Sequence, residues 1–168
     1  MKLLLVALLA ASSLPVDAQA SNPSAACGSA SISFSVKLDD KAADPPKPAP
    51  DKAMLYFIQD EGVSGSLAYP TTRLGIDGAW VGANKESSYF PIAIDPGEHH
   101  ICVMVQSSLV DNFVELAYFT AEPGKAYYYR TRILLARGLE YLELMPIDSD
   151  QVRYLITSVP LSIPKTKK

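Results

Sequence analysis

Apolar positions along this chain change their spacing several times, and each change marks a boundary. In ASISFSVKL the alternation is strict, with Ile32, Phe34 and Val36 on one side and Ser31, Ser33 and Ser35 on the other. That is the period of a strand with one face in the core and one in water. The next stretch, DDKAADPPKPAPDK, has four prolines, mixed charges and no aromatic residue, so it reads as an extended linker. From Ala53 onward, short apolar runs alternate with turn residues. AMLYFIQD is a continuous apolar strand and EGVSGS a glycine-rich turn. RLGID and AWVGA flank Asp77-Gly78, the spacing of a two-residue type I′ hairpin. SYFPIAID leads into Pro96-Gly97, where proline fixes φ and glycine supplies a positive φ, as a type II turn requires. EHHICVMVQS, FVELAYFTA, AYYYRTRILLA and LEYLELM continue the series, with Gly124 in the EPGK turn. The period then becomes helical: Val152, Leu155, Ile156 and Val159 recur at i, i+3, i+4 and i+7. Asp148 and Gln151 start that run in the manner of a capping box, and Pro160 ends it.

This pattern predicts an all-β protein, an antiparallel β-sandwich of about seven to nine strands with one short C-terminal helix. The organisation expected is a leader over 1–20, an N-terminal strand and proline-rich linker over 21–52, the sandwich with its helix over 53–160, and a flexible tail over 161–168.

The leader comes from the first twenty residues. Lys2, the run LLLVALLAA and Ala18-Gln19-Ala20 follow the order of a secretory signal peptide. Cleavage near Ala20 would deliver the chain to the periplasm or the exterior. The run is too short to span a bilayer and no later one is longer, so no transmembrane helix is expected in the mature chain. A lipoprotein is not expected either, because Ser24 stands where a lipid-attachment box before Cys27 wants leucine. Apolar content of 48% and charged content of 20% suit a packed core. The net charge of −3, with no basic cluster before the final residues, gives no footprint for nucleic acid.

Export changes the reading of the two cysteines. In an oxidising compartment Cys27 and Cys102 are a disulfide candidate, the alternative being two free thiols. The bond would close a loop of about 75 residues, worth on the order of 4 kcal/mol. Both histidines fall in IDPGEHHICVMV, but the pleat sends His99 and His100 to opposite faces. It places His100, Cys102 and Met104 on one face, a weak candidate for copper(I), whose preferred ligands are soft. Packing of Cys102 and Met104 in the core is the stronger reading. GVSGS around Ser64 lacks the spacing of a nucleophile elbow. The close carboxylates Asp60-Glu61, Asp148-Asp150 and Glu140-Glu143 include expected turn and helix-start positions. No catalytic residue and no cofactor are therefore expected. Trp80, Tyr127 and Tyr129 read first as core filling with a hydrogen-bonded tyrosine rim, the alternative being an interaction surface.

TRLGIDGAWVGANKESSYFPIAIDPGEHHICV resembles the PEGA-type β module of bacterial envelope proteins. TAEPGKAYYYRTRI is similar to the Ala-Gly-Lys-x-Tyr-Tyr motif of a related PEGA-like family of unknown function, often lipoproteins. The resemblance places Asp77, Gly78 and Gly82 at a first turn, Pro96, Gly97 and His99 at a second, and Gly124, Lys125, Tyr127 and Tyr128 at a third. It covers roughly Ala53 to Met145 and departs from the pattern in lacking a lipid-bearing cysteine and in its proline-rich insertion. It implies a β-sandwich without enzymatic activity, contacting an envelope protein or a glycan such as peptidoglycan. The alternative expectation is a small periplasmic copper-binding protein using the His100, Cys102, Met104 face.

Overall fold

The computed structural model describes residues 27–41, 44–59, 70–85, 87–106, 113–136 and 139–167. The leader, Ser64 in its glycine-rich turn and the Asp60-Glu61 pair lie outside them. The described residues hold ten strands and one helix: β1 (Phe34–Asp39), β2 (Ala53–Gln59), β3 (Thr71–Ile76), β4 (Ala79–Asn84), β5 (Ser88–Ile94), β6 (Gly97–Gln106), β7 (Val114–Ala121), β8 (Ala126–Ala136), β9 (Leu139–Pro146), α1 (Ser149–Ile156) and β10 (Leu161–Thr166). Six strands form one sheet in the order β1-β10-β5-β2-β8-β9, and four form the other, β4-β3-β6-β7. The all-β sandwich is thus present.

Strand β2 organises the core. Every one of its residues is buried, as its unbroken apolar run requires of a central strand covered on both sides. Ala53, Leu55 and Phe57 point between the sheets, where they meet Leu74, Ile101, Val103 and Tyr129. Met54, Tyr56 and Ile58 point outward and are covered by Val152 and Ile156 of α1. The helix begins where the sequence placed it, with Asp148 Oδ1 accepting from the Asp150 and Gln151 N–H groups at 2.9 Å. These two bonds satisfy amides that a helix N-terminus otherwise leaves open.

Several expectations need correction. The sandwich is not purely antiparallel: β2 runs parallel to β8 over a six-residue register, and β10 meets β5 in parallel at Leu161 and Tyr89. The tail is not flexible over its length, since Leu161–Thr166 pairs residue for residue with β1. Its proline and lysines made it read as solvated, but β1, its partner, lies more than a hundred residues earlier and supplies the missing ladder. Within 21–52 the expected N-terminal strand is present as β1, and the described part of the proline-rich linker lies against the sandwich. β1 is an integral strand, and the Tyr56 hydroxyl donates to the Pro46 carbonyl, fixing the proline-rich segment on the outer face of the larger sheet.

One end of the core is polar. Asn84 and Thr72 sit opposite one another and are fully buried, and Asn84 Nδ2 donates to the Phe57 carbonyl at 3.0 Å across the sandwich. Ser88 and Ser162 join their hydroxyls at 2.6 Å, tying β10 to β5.

Candidate functional site

The His-His segment builds a network rather than a metal cluster. Asp77 (φ 50°) and Gly78 (φ 83°) both take the positive φ of a type I′ turn. That turn carries the Asp77 carboxylate beyond the Ile76–Ile101 pair to the start of β6. Gly97, the first residue of β6, has φ 137°, a conformation that side chains disfavour. It turns the chain so that His99 points inward, against Phe119 at 5.9 Å between ring centres. His99 Nδ1 lies 2.6 Å from Asp77 Oδ2, and Nε2 lies 2.8 Å from the Asp95 carbonyl. The other Asp77 oxygen accepts the His100 backbone N–H at 2.8 Å, and Lys52 pairs with the Asp95 carboxylate.

The electrostatics follow. Burial pulls the His99 pKa down, but its bonds to Asp77 and the Asp95 carbonyl and the two carboxylate charges leave it raised. Desolvation pushes Asp77 up, yet the His100 N–H and His99 more than offset this and lower it. A carbonyl oxygen and an ionised carboxylate can only accept, so His99 is held with both nitrogens protonated. An imidazolium placed this way has no lone pair with which to take a proton from a substrate. It fastens the β3–β4 turn to the bend before β6.

His100 is largely exposed beside Tyr118, with ring centres 5.2 Å apart. Cys102 is bonded to Cys27, their Cα atoms 5.1 Å apart. Met104 Sδ accepts from Arg73 Nη2 at 2.7 Å. The copper alternative is corrected accordingly: the disulfide removes the thiolate, and a guanidinium occupies the thioether. Among the described residues, no group of three or more His, Cys, Asp or Glu side chains is arranged to hold a metal ion.

The disulfide anchors a strap. Residues 27–33 cross the outer face of the four-stranded sheet, where Arg73 Nη1 donates to the Ile32 carbonyl at 2.7 Å. Trp80 Nε1 donates to the Ser29 carbonyl at 2.9 Å, and the Arg73 guanidinium lies 4.5 Å from the centre of the Trp80 ring. Gly28 fits against the same ring: a Cβ there would stand 2.3 Å from Trp80 Cδ1. Past the strap, the Phe34 N–H and carbonyl both bond the Gln106 side chain.

Trp80, Tyr127 and Tyr129 thus take packing positions, as the first reading expected, and the alternative aromatic surface does not form from them. Trp80 is held by the strap, Tyr129 is buried in the core, and Tyr127 packs on Phe119 while its hydroxyl accepts from the Glu122 N–H. Among the described residues, the exposed tyrosine rings are elsewhere, at Tyr118 on β7, Tyr141 on β9 and Tyr154 on α1. Gly124 has φ 72° in the turn closed by Lys125 N–H to the Glu122 carbonyl. Glu143 pairs with Arg132 at 2.8 Å, and Asp148 caps the helix, so neither is a free acid.

Sequence reasoning missed Arg73, a charge inside an apolar strand, which is the one local sign that something covers that face. It also missed the second role of Asp77, because β3 and β6 are separated by two strands in the chain. Fold and site together define a disulfide-braced β-sandwich. Comparison with known protein families, curated proteins and solved structures returns no significant match.

Proposed function

We propose that this is an exported, non-enzymatic β-sandwich module that makes protein or glycan contacts at the cell envelope. The observation that carries the reading is the Cys27–Cys102 bond, which holds a structural strap in place and suits an oxidising compartment. Two further features support it. His99, Asp77 and Arg73, the groups best suited to chemistry, are committed to internal bonding. The Asp-Gly, Pro-Gly and Gly-Lys-x-Tyr-Tyr motifs of the PEGA-like resemblance act as turn formers or core. No helix among the described residues is long and apolar enough to cross a membrane.

Leu116 and Tyr118, 42% and 54% exposed on edge strand β7, offer the contact surface. Photo-crosslinking from position 118 in intact cells tests this. A discrete adduct with an envelope protein or a glycan strand is expected. Recovery of the protein in the cytoplasm, or adducts no different from those at buried position 72, would refute it.

A further inference from the structure

A groove runs between the proline-rich segment and α1 on the outer face of the larger sheet. The Tyr56 and Tyr128 rings stack at its floor, 5.0 Å between centres, with Val152 and Ile156 beside them. This part encloses about 300 Å³. A neighbouring cavity of about 380 Å³ continues it and shares Pro45, Ile156 and Thr157. Both fall in the range of small-ligand sites. The two ends carry opposite charge. Lys47 and Arg153 line the tyrosine end, and Asp39, Asp40 and Asp44 line the other. Lys47 and Arg153 are exposed and, among the described residues, not ion-paired.

Asp44 and Lys47 are three residues apart in a proline-rich stretch, which at polyproline rise amounts to about 9 Å. Three residues of extended peptide span about 10 Å. The wall is set in advance, because the Tyr56 hydroxyl is bonded to the Pro46 carbonyl, which lowers the ordering cost of binding. We propose that this groove binds the carboxyl-terminal end of a short extended peptide. Its carboxylate would lie between Lys47 and Arg153, an apolar side chain on Tyr56 and Tyr128, and a cationic group two residues upstream near Asp39, Asp40 and Asp44. A neutral glycan carries neither charge, and an acidic glycan or a dianion brings no cation to the carboxylates at the far end.

The probe is N-acetyl-Lys-Ala-Phe with a free carboxylate, in which the lysine ammonium is the only cation, titrated into the full disulfide-bonded protein and followed by amide chemical shifts. Shifts are expected to cluster on residues 44–47, on Tyr56 and Tyr128, and along 149–158. The C-terminal amide of the same peptide is expected to bind at least tenfold more weakly, and the Lys47→Ala, Arg153→Ala double variant to show the same loss. Both substituted residues are exposed, so the variant's circular dichroism serves as the folding control. Norleucine in place of the peptide lysine is expected to lose severalfold in affinity. Equal binding of acid and amide, shifts scattered elsewhere, or no shift at ten-millimolar peptide would overturn the proposal, and equal binding of the norleucine peptide would overturn its acidic pole. The proposal rests on reading the protein as a binding module but fails separately from it: fractionation tests export, and this titration tests the groove.

Discussion

Replacing both cysteines, Cys27→Ser with Cys102→Ser, isolates what the strap's covalent anchor contributes. The bond spans 75 residues. Loop-closure entropy for such a span gives about 4 kcal/mol of stabilisation through the unfolded state. The native contacts of the strap remain available to the variant: Arg73 with Ile32, Trp80 with Ser29, and Phe34 with Gln106. The folded state should therefore persist with the strap docked. With a urea slope of about 2 kcal/mol/M, the unfolding midpoint should fall by about 2 M. The chain's one tryptophan, Trp80, lies under the strap and reports both events. Folded variant and wild type should share an emission maximum, while the midpoints differ. Wild type treated with reductant should match the variant, which separates loop entropy from any effect of serine packing. Midpoints within about 0.3 M of each other would refute the loop-closure argument.

The His99 fastening should depend on pH in a defined direction. Its folded pKa is raised above 6.5, so its stabilisation is complete below that value and is lost as pH rises through the folded pKa. Asp77 is lowered from 3.8, so its contribution is present above that value and is lost as pH falls through its own folded pKa. Urea midpoints at pH 5.5 should exceed those at pH 8.5, and Asp77→Asn should shrink the difference; a difference unchanged in that variant would contradict the pairing. Gly82→Ala would place a Cβ 2.5 Å from Phe90 Cζ, between the sheets, and should cost about 1–3 kcal/mol in a urea titration. Asn84→Ala leaves the Phe57 carbonyl without its cross-sandwich donor and should cost about 1–3 kcal/mol in the same assay.

Local patterns in the sequence translated well into structure. The Asp77-Gly78 turn, the apolar β2 and the helix stripe on Val152 and Ile156 depend on residues close together in the chain, and each is present as read. The features that escaped depend on distant partners. β10 becomes a strand only because β1 is beside it, and β8 runs parallel to β2 because of how the two sheets close. The same holds at the site. Strand alternation did separate His99 from His100, but nothing near the histidines reveals that Asp77 reaches both. Trp80 left packing and exposure both open from its place beside a hairpin turn, and what covers it is a segment some fifty residues upstream. The groove under α1 was invisible for a similar reason, since it is assembled from the proline-rich segment, two central strands and the helix.

The central claim is that the protein works outside the cytoplasm as a disulfide-braced module. The direct measurement is the intact mass of the protein recovered from its native cells after thiol blocking without reductant. The account predicts a chain beginning at Ser21 with no blocked cysteine, recovered in the envelope or external fraction. A full-length chain in the cytoplasm with both Cys27 and Cys102 blocked would contradict it.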